Sequence, residues 1–182
     1  MARLTPDDWV LAAMRVMASR GVEAVKVEVL AREMGVSKGS FYHHFGKRKD
    51  LLDALIERWE DEGTEDVIEG VESEAADPDT RLRALMKRVF GTELEYDIFE
   101  SQLRAWARRD DGVREAVARV DARRIGYVAD LLVARGHSRA KARARARILY
   151  RTLVGDFVIR SHGGPPLGAA ERKALYALLV SP

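Results

Sequence analysis

Apolar residues recur three and four positions apart along almost the whole chain, and no stretch alternates or gathers β-branched residues as a strand would. That spacing predicts an all-α protein. With 182 residues, 47% of them hydrophobic and 33% charged, the chain is long enough to bury a core and too apolar to stay disordered. The absence of cysteine excludes disulfides and thiolate chemistry. With no signal-peptide pattern and no long uncharged apolar stretch, a cytoplasmic protein without a membrane partner is expected.

Local signals place the helices. Thr5-Pro6-Asp7-Asp8 offers a cap, a proline at the first helical position and first-turn acids, after which Trp9, Ala13, Val16 and Met17 share a face up to Gly21. Val27, Leu30, Ala31 and Met34 define a short second helix that stops at Gly35. A third begins after Ser37. A fourth starts near Lys47 and carries Leu51, Leu52, Leu55 and Trp59 into an acidic stretch where Gly63 and Gly70 leave its length open. Asp77-Pro78 starts a fifth, closed by Gly91, and further helices are expected over 96–109, 113–134, 138–160 and 169–180. The connections are short, which favours a compact bundle.

Two short helices around a glycine turn, over residues 27–52, have helix-turn-helix spacing. At 100° per residue Phe41 and Phe45 fall together and face the core with Val36, while Gly39, Ser40 and His43 point away, flanked by Lys38 and Tyr42 on one side and His44 on the other. Small and hydrogen-bonding groups on an outer face suit a major groove better than a protein surface. Gly39 costs about 0.5 to 1 kcal/mol of helix stability against alanine, a cost that close backbone approach to DNA would offset. The net charge is only +2, but residues 37–49 hold Lys38, Lys47, Arg48 and Lys49 and no acid, whereas residues 60–79 hold ten acids and no lysine or arginine. Lys47, Arg48 and Lys49 oppose the dipole of the helix they begin, an arrangement that a bound phosphate would reverse.

The stretches AAMRVMASRG and LAREMGVSKGSFYHHFGKRKDLL resemble the N-terminal domain of the TetR family of transcriptional regulators, over roughly residues 9–52. The resemblance implies that Ser37, Lys38, Gly39, Ser40, Tyr42, His43 and His44 are recognition-helix positions. It puts Arg48 where the family has a phosphate-binding lysine, and Val27 where threonine or serine often begins the second helix. It further implies a homodimer whose last two helices pair across a two-fold axis, a double-stranded palindromic operator, and an unidentified small-molecule effector that releases a repressor by respacing its recognition helices. No cofactor is expected. The domain division expected is 1–47 for DNA binding and 48–182 for effector binding and dimerisation.

Two rival readings are a helical-bundle enzyme and a ligand-binding or interaction protein that has lost DNA binding. Against the first, histidines occur only at 43, 44, 137 and 162, and no paired carboxylates mark a site. Against the second stands the intact basic junction. His43 and His44 are adjacent and expected to splay apart, so no metal site is expected. Arg139, Arg143, Arg147 and Arg151 form a stripe read as a solvated face, with the acids of 60–79 as candidate partners. Arg124 interrupts the seam Val113, Val117, Val120, Tyr127, Leu131; it needs a buried acid, an anionic ligand or a route to solvent along its stem, and the last is expected. If Arg124 and Trp106 border a cavity, they would anchor an effector, although Trp106, Phe99 and Tyr96 read as core. Finally, Ala142, Ala146, Leu149, Leu153 and Phe157 line one side of a helix, and Leu175, Leu178 and Leu179 line the last one. Neither row has an evident partner within the chain, so Leu149, Leu153, Phe157, Leu175, Leu178 and Leu179 are expected at a dimer interface.

Overall fold

The computed structural model describes residues 4–74, 76–91 and 94–181. Among the described residues all regular structure is helical: α1 (Pro6–Arg20), α2 (Val27–Glu33), α3 (Lys38–Tyr42), α4 (Arg48–Glu60), α5 (Asp66–Glu74), α6 (Pro78–Val89), α7 (Leu94–Trp106), α8 (Asp111–Ala134), α9 (Arg139–Ser161) and α10 (Ala169–Val180). No helix among them is long and apolar enough to cross a membrane.

The caps account for most boundaries. Thr5 and Asp8 form a reciprocal capping box on α1, with Thr5 N–H donating to the Asp8 carboxylate at 2.7 Å. Asp77, Asp110 and Ser138 cap α6, α8 and α9 through their side chains. At Gly35 the backbone takes φ +68°, a conformation that costs a side chain and costs glycine nothing, and the chain turns there from α2 towards α3.

The acidic stretch holds more structure than its glycines suggest. A π-helical turn, Asp61–Glu65, joins α4 to α5, so one rod runs from Arg48 to Glu74 with a widened turn in its middle. This rod spans two cores. Leu51, Leu52, Leu55 and Trp59 pack with Trp9, Phe41, Phe99 and Leu103 in the first. Ile68 and Val71 pack with Leu82, Met86, Leu132, Leu149 and Phe157 in the second. Helix α8 also enters both, through Val113 and Val120 in the first and Tyr127 and Leu131 in the second. The acids of the rod are engaged by Arg58, Arg81, Arg88, Arg119 and Arg123, and not by the arginine stripe of α9, which stays exposed.

Candidate nucleic-acid interface and effector cavity

Helix α3 is a single short turn and a half, but its rotation is fixed by aromatic packing. Phe41 is fully buried, its ring edge-on to Trp9 at 5.3 Å and stacked on Phe45 at 5.5 Å. Regular helix ends at Tyr42, yet Phe45 N–H still donates to Phe41 O at 2.9 Å, so Phe45 lands beside Phe41 as the helical spacing requires. Gly39 and His43 are therefore exposed, Tyr42 is 60% exposed, and Ser40 and His44 are partly covered. The two histidine rings meet edge-on with centroids 5.5 Å apart instead of splaying. Among the described residues no group of three metal-ligating side chains forms.

One detail marks this surface as prepared for an outside partner. A Cβ on Gly39 would meet only the Ser37 hydroxyl, at an ordinary 3.5 Å, so nothing inside the protein requires glycine there. Neither α2 nor α3 has a side-chain cap, in contrast to the full capping box of α1; Val29 N–H and Ser40 N–H donate instead to the carbonyls of Lys26 and Ser37, at 3.0 and 3.1 Å. Lys38 pairs with Glu28 at 2.8 Å on the surface.

The basic junction is less bare than its sequence implies. Asp50 accepts from Lys47 N–H at 3.1 Å, and Lys49 pairs with Asp53 at 2.7 Å, which offsets part of the conflict with the dipole of α4. Lys47 is exposed. Arg48 folds back instead: its Nη2 donates to Val22 O at 2.6 Å and its Nε donates to Val25 O, closing the turn before α2.

In the second half of the molecule a cavity of about 410 Å³ opens between α5, the π turn, α6, α8 and α9. Its wall is mostly apolar, including Val67, Ile68, Leu85, Val128, Leu153 and Phe157, with Arg124, Tyr96 and Tyr127 among the polar groups. Arg124 does not reach for solvent along its stem. Its Nη1 lies 3.2 Å from Glu100, which is fully buried, its Nε donates to Thr64 Oγ1 at 3.0 Å, and its Nη2 donates to Gly63 O at 3.1 Å. The buried acid, and not the snorkelling route, is what compensates the charge, because Glu100 interrupts the apolar seam of α7 just where Arg124 interrupts that of α8. Glu100 also accepts from Trp59 Nε1 at 2.6 Å and pairs with Arg104 at 2.8 Å, and Arg104 reaches Asp121 at 3.0 Å and the Tyr150 hydroxyl at 2.7 Å. Burial works against the charge on Arg124, but Glu100 together with the neighbouring Tyr96 and Tyr150 outweighs it, so the guanidinium is held above its ordinary pKa. Gly63 belongs to the same cluster: a Cβ there would collide with the Tyr96 hydroxyl and sit 3.0 Å from Arg124 Nη2.

Residues 10–55 match the profile of the bacterial regulatory proteins of the tetR family. The N-terminal part of the chain is thus similar to the DNA-binding domain of that family. A curated relative, the HTH-type transcriptional regulator BetI of Rhizobium meliloti (strain 1021), is 34% identical over 79 residues, 43% of this chain and 38% of that protein. The match thus spans well under half of BetI's length. Likeness of fold extends further. A transcriptional regulator from Rhodococcus sp. Rha1 superposes with a TM-score of 0.76 over 97% of this chain and 94% of its own, at 17% identity. The regulator FadR from Bacillus subtilis, solved in complex with stearoyl-CoA, superposes with a TM-score of 0.72 over 97% and 98%, at 18% identity.

Against the tetR-type frame, two expectations are corrected. Leu149, Leu153, Phe157, Leu175 and Leu179 are all buried within the single chain, three of them lining the cavity, so they cannot form a dimer face. The partner that spacing alone did not reveal is intramolecular: α7, α8 and α10 pack on α9, and its apolar row shares one core with residues of α5, α6 and α8. Of the six, Leu178 alone is exposed, at 69%. Trp106 lies outside the cavity, in a separate groove with Arg48, Leu52 and Ile56, so it does not share a wall with Arg124. What the sequence reading missed is Glu100, Thr64 and the hydroxyl of Tyr127. A signal for the first existed, since an acid and an arginine each broke an apolar seam.

Proposed function

We propose that the chain is a cytoplasmic, non-enzymatic transcriptional repressor that binds a palindromic operator as a homodimer through residues 1–47 and senses a small molecule through residues 48–182. The observation that carries this reading is the outer face of α3, where Gly39, Ser40 and His43 project opposite the Phe41 and Phe45 anchor and nothing in the protein accounts for the glycine. Ser40 and His43 would meet base edges; Ser37, Lys38, Tyr42, His44, Lys47 and Arg48 would position the duplex through its backbone.

Arg124 offers the route from effector to DNA. One side chain both lines the cavity and holds the π turn of the rod whose other half packs against Trp9 and Phe41. An effector that binds against this wall and shifts Arg124 changes the lean of α4, and with it the spacing of the two recognition helices. The test is a band-shift assay with DNA flanking the chain's own gene, where binding near 10 nM or tighter at physiological salt is expected. Binding no tighter than to random duplex would overturn the reading. Arg124→Met should abolish release by an effector, because the cavity wall and the π turn are then no longer joined.

A further inference from the structure

The charges around the cavity are matched before any ligand arrives. Three ionised side chains line it, and each already has a counter-ion: Arg124 with Glu100 at 3.2 Å, Glu62 with Arg58 at 2.6 Å, and Arg88 with Glu74. Of the five N–H groups of Arg124, three are committed to Glu100, Thr64 and Gly63. A charged ligand would leave water for an apolar chamber without an unmatched counter-charge, and the low dielectric makes that exchange unfavourable.

Polar capacity of another kind is left over. The Tyr127 hydroxyl is buried in the wall without a hydrogen-bond partner, one turn along α8 from Arg124. The Tyr96 hydroxyl lies against Arg124 and Trp59 without a bond of normal geometry. Burial pushes both phenols up, so both are neutral O–H donors at physiological pH. A buried donor without an acceptor is unfavourable, and a ligand oxygen would satisfy it.

Resting on the reading of this cavity as the effector site, we infer that the effector is an uncharged, mainly apolar molecule with a hydroxyl or carbonyl oxygen that accepts from Tyr127 and Tyr96. A volume of about 410 Å³ is at the compact end of small-molecule sites.

The test compares three probes with one apolar body and different heads, decanol, decanoate and decyltrimethylammonium, by isothermal titration against the full chain. Decanol should bind about tenfold or more tighter than either ion. Tyr127→Phe should weaken decanol about three- to tenfold, as expected for one lost hydrogen bond, while leaving the weak binding of the ions unchanged. Tighter binding of decanoate or of the ammonium, binding of none of the three, or a Tyr127→Phe protein that holds decanol as well as the parent overturns the inference. If decanol binds as expected but the chain holds no operator in the band-shift assay, the repressor reading fails and the neutral cavity stands.

Discussion

Arg48 sits between folding and recognition. Two of its N–H donors are spent on the carbonyls of Val22 and Val25, which leaves the remaining face of the guanidinium for a phosphate. Arg48→Ala should therefore do two things. It should lower stability by about 1 to 2 kcal/mol in urea denaturation, since charged donors to carbonyls are lost. It should also reduce the salt dependence of DNA binding by about one counterion per half-site, on operator and random duplex alike. His43 stands opposite the Phe41 anchor and is exposed. His43→Ala should cost about 1 to 3 kcal/mol on the operator, little on random DNA, and leave the melting curve in place. A salt series on both duplexes, run beside the denaturation curves, separates the two. If His43→Ala changes the salt slope and Arg48→Ala changes only specificity, the recognition face is rotated from the one described.

The rod from Arg48 to Glu74 shows where sequence patterning stops being informative. Helix periodicity made α1 to α4 legible, and it located α10 to the residue, because each carries a one-sided apolar row. The same was true of the outward side of α3, which needed only the spacing of Phe41 and Phe45. The π turn was not legible, because it depends on Arg124, 60 residues downstream of Thr64, supplying donors to a widened turn. Nor was the burial of the α9 row, since spacing shows that a face is apolar and not what covers it. The buried cluster also fixes a prediction for this element. Glu100→Gln removes the one charge that balances Arg124 and Arg104 from inside α7, and should destabilise by about 3 kcal/mol or more in urea denaturation. A loss below about 1 kcal/mol would mean that Asp121 and solvent suffice. The end of α10 responds to pH. Arg145 donates to Leu179 O at 2.8 Å and to Ser181 Oγ at 2.8 Å, with His137 beside it at 3.3 Å. Partial burial, then Arg145 and Lys141, hold His137 below its ordinary 6.5, so the unfolded chain takes up this proton more readily than the folded one. The melting temperature should fall as pH drops through about 6.5, and fall less in His137→Asn. An identical pH profile in the two proteins would remove His137 from this role.

At the scale of the molecule, the proposed homodimer would use the surface opposite the buried row of α9. With Leu149, Leu153 and Phe157 turned into the core, helical geometry puts Ile148, Gly155 and Ile159 on the other side, and Ile148 and Ile159 are more than half exposed. Leu178 on α10 is 69% exposed, and α10 packs on α9, so both helices present apolar residues outward. Two such pairs related by a two-fold axis would bury each other's apolar surface in a four-helix contact, and they would hold two α3 helices at the one-turn spacing, roughly 34 Å, that a palindromic operator needs. The substitutions that test this are consequently not those on the buried row. Ile148→Glu with Leu178→Glu should give a folded monomer with the parent's far-ultraviolet circular dichroism, and operator affinity should fall about a hundredfold or more as one half-site is lost. Leu153→Glu should instead unfold the chain, because it buries a charge in the second core. Light scattering at micromolar concentration decides between them: a monomeric parent protein would overturn the dimer, and a folded monomer from Leu153→Glu would return the interface to the side of α9 that here faces inward.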